Sequence, residues 1–155
     1  MELFYGLWTF APTVKSQLAI FAVLAQVGIT IWCYNVMSTA RIEAYKDGKI
    51  DPEMYRATSD AEPEDLRVYT RLVANQFESP VLFYALVLAG LAVGITSWIT
   101  VFLAFAYVII RWMHAQEMTG EHVVLRRRKI FIRSMQVLGI MVAELAISTL
   151  LFIQV

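Results

Sequence analysis

The sequence predicts an all-α membrane protein, a four-transmembrane-helix bundle, and three observations carry that expectation. Of the 155 residues 59% are hydrophobic, mean hydropathy is +0.59 and only 17% are charged, a profile too apolar for a soluble domain of this size. The apolar residues gather in four stretches, each long enough to cross the roughly 30 Å of hydrocarbon that about 20 helical residues span. The net charge of zero hides a segregation: of 13 Lys and Arg residues, only Lys15 lies outside residues 41–71 and 111–133. The positive-inside rule puts both basic segments in the cytoplasm and both termini on the opposite side. One domain over residues 1–155 is expected.

Residues 1–15 are short and aromatic, with Trp8, Phe10 and Pro12 suited to the interfacial belt. The first 20 residues carry no basic n-region and no small-residue cleavage site, so the first apolar segment is expected to stay as a helix. That span covers about residues 16–37, with Gln26 and Asn35 as polar groups able to bond neighbouring helices. Cys33 stands alone within it, and packing is its expected role. Residues 38–66 form a polar loop with eight acids, four bases and the turn signals Asp47-Gly48 and Asp51-Pro52. Its end reads as a helix start, with Asp60 or a neighbour as cap, Pro63 in the first turn, and Glu64 and Asp65 at the positive end of the dipole.

The second helix is expected from about Pro63 to Ile95, some 50 Å at about 1.5 Å per residue, so its first turns project from the bilayer and about residues 79–96 span it. On this helix Arg71, Asn75 and Glu78 fall at i, i+4 and i+7 and form one polar stripe at the membrane mouth, with Arg67 a turn before it. Such a stripe is costly unless it faces protein, water or a ligand. Pro80 deprives the Gln76 carbonyl of its usual donor and is expected to bend the helix there. Gly90 and Gly94 form a GxxxG pattern suited to close helix approach. A short link at residues 95–97 makes an antiparallel hairpin with span three, about residues 98–115. Arg111, His114 and Met118 then share one face at i, i+3 and i+7. Span four, about residues 130–153, follows the basic run Arg126 to Lys129. It carries Glu144 near its middle, either bonded across an interface or belonging to a second polar site.

The chain holds no phosphate-binding loop, dinucleotide fingerprint, zinc-protease helix or nucleophile elbow. His114 and His122 stand eight apart without further ligands, so no metal is expected, and no nucleic-acid partner is expected either.

This arrangement resembles the MAPEG family, membrane-associated proteins in eicosanoid and glutathione metabolism, over about residues 14–153. The sharpest likeness is Arg71-xxx-Asn75-xx-Glu78 at the start of helix two. A second is RWMHA, with Arg111, His114 and Ala115, followed by Thr119-Gly120, Arg126 and Phe131, which looks like the bacterial branch. The resemblance implies a homotrimer in a bacterial inner membrane with glutathione as co-substrate at a subunit interface. Arg71 would pair with a glutathione carboxylate, Asn75 and Glu78 would hold its amide and amino groups, and Arg67, Arg111 and His114 would complete the site. An arginine near the start of helix four, Arg126 or Arg127, would favour thiolate over thiol. This chain departs from the family in placing His114 and Met118 where some members have tyrosines, Ser79 where one branch has an aromatic residue, and Pro80 only two positions after the glutamate.

Two functions follow from that likeness. One is a membrane glutathione transferase or peroxidase that joins an activated thiolate to small lipophilic electrophiles arriving from the bilayer lipids. The other is a non-catalytic accessory, scaffold or lipid-binding subunit of a larger membrane complex. A transporter is a weaker reading, because four spans leave little room for a pathway.

Overall fold

The computed structural model describes residues 13–56, 62–120 and 124–153. Trp8, Phe10, Pro12, the Asp60 cap and His122 lie outside them. The described residues form helices and turns, with no strand among them. The helices are α1 (Val14–Lys46), a 3₁₀ turn (Pro52–Tyr55), α2 (Glu64–Ala74), α3 (Ser79–Ala92), α4 (Trp98–Thr119) and α5 (Val124–Ile153). Four segments are long and apolar enough to cross a membrane: α1, α2 with α3, α4 and α5.

The Thr13 hydroxyl accepts the Ser16 N–H at 3.2 Å and starts α1. The helix runs past Met37 to Lys46, because STARIEAYK holds no breaker before Asp47-Gly48. Gly48 then adopts φ +68°, and the Lys49 N–H bonds the Ala44 carbonyl at 2.9 Å to close the helix. The polar loop is correspondingly shorter than the sequence predicts.

A buried network ties this projecting end of α1 to α2. Glu62, whose side chain is fully buried, accepts from Arg41 Nε at 2.9 Å, Tyr55 Oη at 2.8 Å and Thr70 Oγ1 at 2.5 Å. Arg41 Nη2 also donates to Thr70 Oγ1 at 2.9 Å, and its guanidinium lies 4.5 Å over the Tyr55 ring. Burial pushes the Glu62 carboxyl up, but the three hydrogen bonds and the Arg41 charge outweigh it and hold the group below its ordinary range.

The expected single helix from Pro63 to Ile95 is two helices. α2 ends at Ala74, a turn closes with the Gln76 and Phe77 N–H groups on the Val73 and Ala74 carbonyls, and α3 restarts at Ser79. Pro80 sits in the first turn of α3, where a missing N–H costs nothing, so it starts a helix and does not bend one. The GxxxG expectation also divides. Gly90 is buried, and a Cβ there would lie 3.6 Å from Leu145, whereas Gly94 is the left-handed cap of α3 at φ +75° with open space around it.

The shared core includes Ala19, Ala22, Cys33, Leu72, Ala104 and Met141, with Phe83 stacked on Tyr107 at 4.6 Å. Gln26 Nε2 donates to Gln76 Oε1 at 3.2 Å, fastening α1 to the break. Outward, Phe21, Leu88, Phe102 and Leu150 are exposed, and Phe102 is 72% so. A fold that leaves so many large apolar side chains exposed is solvated by lipid, and the chain is an integral membrane protein.

Glu144 lies about 30 Å along α5 from Val124 at 1.5 Å per residue, and it pairs with the α3–α4 hairpin at the end of the bundle opposite the basic residues. It accepts from Ser97 Oγ at 2.6 Å and Thr100 Oγ1 at 2.9 Å. Ser97 and Thr100 form the capping box of α4, so the acid sits at the positive end of that helix, bonded across the contact between α4 and α5. Glu144→Ala is expected to cost about 1–2 kcal/mol in thermal unfolding, and Glu144→Gln, which keeps an acceptor oxygen, clearly less.

Candidate functional site

The break between α2 and α3 builds the site. In an unbroken helix the Asn75 carbonyl would accept the Ser79 N–H; here Arg111 Nη2 of α4 donates to it at 2.8 Å. Arg111 is completely buried, and its Nε and Nη1 have no hydrogen-bond partner among the described residues. A guanidinium out of water is costly unless its donors are used, and here one of them holds the Asn75 carbonyl at the break.

In front of it opens a cleft of about 470 Å³. Arg71, Ala74, Asn75 and Glu78 line it from the break, His114 and Met118 from α4, and Val124, Arg127, Arg128 and Phe131 from α5. Asn75 Nδ2 lies 3.2 Å from the Met118 sulfur, and the His114 ring tilts against Phe131 at 5.9 Å. His114 is buried, and its Nδ1 has no partner among the described residues. Three arginines and one acid give the cleft a net positive charge, with Arg111 adding to it from behind. Convergent guanidinium groups, an amide and a single carboxylate, walled by a thioether and a ring, suit a small zwitterion with excess negative charge.

The structure thus brings together Arg71, Asn75, Glu78, His114 and Arg127. Arg111 contacts the group from behind. Arg67 points outward on α2 and does not line the cleft. Arg126 is turned to the other side of α5, where its Nε meets Glu117 Oε2 at 3.2 Å. Of the two arginines expected to act on a thiol, only Arg127 lines the cleft. Arg128 and Phe131 join it without having been singled out for it. Their i, i+3 spacing, together with Val124 and Arg127 at i and i+3, was the available signal, but α5 begins six residues before the expected start and its register was hidden. A further recess, about 580 Å³, lies elsewhere, against α1 and Tyr55. Its only charge, Arg41, is already engaged by Glu62.

Four membrane-spanning segments among the described residues, around a cationic cleft at a broken second span, define the class: a small integral membrane protein with a cationic cleft at its basic end. A model of the MAPEG family matches residues 18–147, most of the chain, and the protein belongs to that family. No curated protein and no solved structure matches the chain.

Proposed function

We propose that this protein is a membrane glutathione-dependent transferase or peroxidase that binds glutathione in the cleft at the α2–α3 break and presents its thiolate to lipophilic electrophiles. The observation that carries the reading is the convergence of Arg71, Asn75, Glu78, His114 and Arg127 on one cleft. Family membership supports it, since MAPEG proteins are generally associated with glutathione and generally trimeric. The charges also match. Glutathione carries two carboxylates, one ammonium and, when activated, a thiolate, and Arg71, Arg127, Arg128 and Glu78 are the complement. Asn75 supplies an amide to the peptide backbone, and His114 Nδ1 is one more polar contact. Arg127 stabilises negative charge on sulfur, the step the protein must supply before nucleophilic attack.

Arg71 and Glu78 remain exposed in the single chain, which favours a homotrimer whose neighbouring subunit covers the cleft. The positive-inside rule supports a cleft on the cytoplasmic face, open to soluble glutathione, and the likeness to the family's bacterial branch supports a bacterial inner membrane. Arg71→Ala and Glu78→Ala are each expected to abolish protection by glutathione against thermal unfolding while leaving the oligomer intact; unchanged protection would exclude this site.

Met118 and Phe131 favour a second reading, because neither offers the cleft a hydroxyl. A non-catalytic subunit would leave the membrane in mild detergent with stoichiometric partners, and a homogeneous stand-alone oligomer counts against it.

A further inference from the structure

On the other side of α4 from His114 and Met118, a second recess of about 330 Å³ opens beside Trp112, Met113, Gln116, Glu117, Arg126 and Ile130. The Glu117 side chain is only 9% exposed. Its Oε2 meets Arg126 at 3.2 Å, but its buried Oε1 has no donor among the described residues. A buried carboxylate oxygen without a partner is rare enough in folded proteins to need an explanation. Arg126 is 65% exposed beyond this contact, so guanidinium N–H groups remain for an anion. Lys129 and Arg133 follow on the same side of α5 and are also exposed.

We propose that this recess binds the headgroup of a phospholipid bearing a primary ammonium, of the phosphoethanolamine type. Arg126 takes the phosphate, and Glu117 Oε1 takes an ammonium N–H. The recess lies at the basic end of the bundle, where headgroups reside. Trp112, packed on Trp32 at 4.9 Å, is a side chain suited to that level. Below it Ile109 and Phe102 continue down the outer side of α4, 58% and 72% exposed, as a path for an acyl chain. The pairing selects among headgroups. A choline headgroup has the charge but no N–H for Glu117, and a glycerol headgroup has no cation. None of these residues lines the cleft at the break, so this site stands whether or not that cleft binds glutathione.

The test is native mass spectrometry of the delipidated, detergent-solubilised protein with lipids of matched acyl chains: phosphatidylethanolamine, its N-methyl and N,N-dimethyl forms, phosphatidylcholine and phosphatidylglycerol. Binding is expected to persist through the dimethyl form, which keeps one N–H, and to fall about tenfold at choline and at glycerol, the ratio one charge-assisted hydrogen bond supplies. Glu117→Gln should bring phosphatidylethanolamine down to the phosphatidylcholine level with oligomeric state and unfolding temperature of the lipid-free protein unchanged. Equal binding of the ethanolamine and choline lipids by the wild type would overturn the proposal, as would a preference that survives in Glu117→Gln. Because the wild-type series decides the matter alone, a variant that fails to fold leaves the test intact. Loss of the oligomer in Glu117→Gln with no lipid preference in the wild type would assign the carboxylate to a subunit contact and reject the lipid site.

Discussion

Arg127→Ala is expected to lower conjugation of glutathione to a lipophilic aryl halide by about 10–100-fold at neutral pH, the largest single loss among the arginines of α5. A cation beside sulfur lowers a thiol pKa by about one to three units from its ordinary value near 8.5. Removing it returns the bound thiol toward that value and leaves little thiolate at pH 7. The signature is a pH–rate profile displaced to higher pH, with glutathione affinity changed much less than turnover. Arg127→Lys keeps the charge but not the planar fork and should restore part of the rate. Arg126→Ala, which removes a group turned away from the cleft toward Glu117, should leave the profile where it was. An unmoved profile in Arg127→Ala would transfer the role to Arg128 or Arg71.

Glu62→Ala is expected to cost about 3 kcal/mol of stability, more than any other single loss outside the core. Three donors, one of them the Arg41 guanidinium, converge on this one buried carboxylate. Without it Arg41 loses its ion pair, although partial exposure of Arg41 lets water repay some of the cost. Glu62→Gln retains an acceptor and should lose less. Thr70, one of the donors, adjoins Arg71, so loosening this network is also expected to weaken glutathione binding. The sign with pH follows from the carboxyl being held below its ordinary value of 4.5. Its contribution is fully present above that pH and is lost as pH falls through the lower folded value. Thermal melts of wild type and Glu62→Ala between pH 7 and pH 3 should therefore converge at the acid end, and parallel curves would contradict the assignment.

Much of this was legible from residues alone, and the parts that were not share a cause. Hydropathy found the four spans, because a bilayer imposes length and apolarity on each segment independently. The grouping of Arg71, Asn75 and Glu78 was also visible, but as a stripe on a continuous helix. In the fold Glu78 reaches the cleft from beyond a break. Asn75 to Ser79 hold no residue that forbids helix, and Pro80 suits a kinked helix and a starting one equally, so periodicity could not separate the two. The partner that exploits the break is Arg111 on α4, a tertiary contact no local pattern announces. The choice between Arg126 and Arg127 depended on the phase of a helix entered from a loop. Glu144 reads as an isolated acid only while its partners are unknown, and those are Ser97 and Thr100 at the start of α4.

The proposed function requires that the cleft at the helix break hold glutathione as its thiolate. Titrating the purified, detergent-solubilised protein with glutathione, following unfolding temperature and thiolate absorbance together, tests it most directly. A ligand in hundredfold excess over its Kd stabilises the folded state by about 2.7 kcal/mol, so a saturable rise in unfolding temperature with thiolate absorbance at neutral pH is the predicted result. No shift and no thiolate at millimolar glutathione would contradict it, and would leave a MAPEG fold whose cationic cleft serves another ligand.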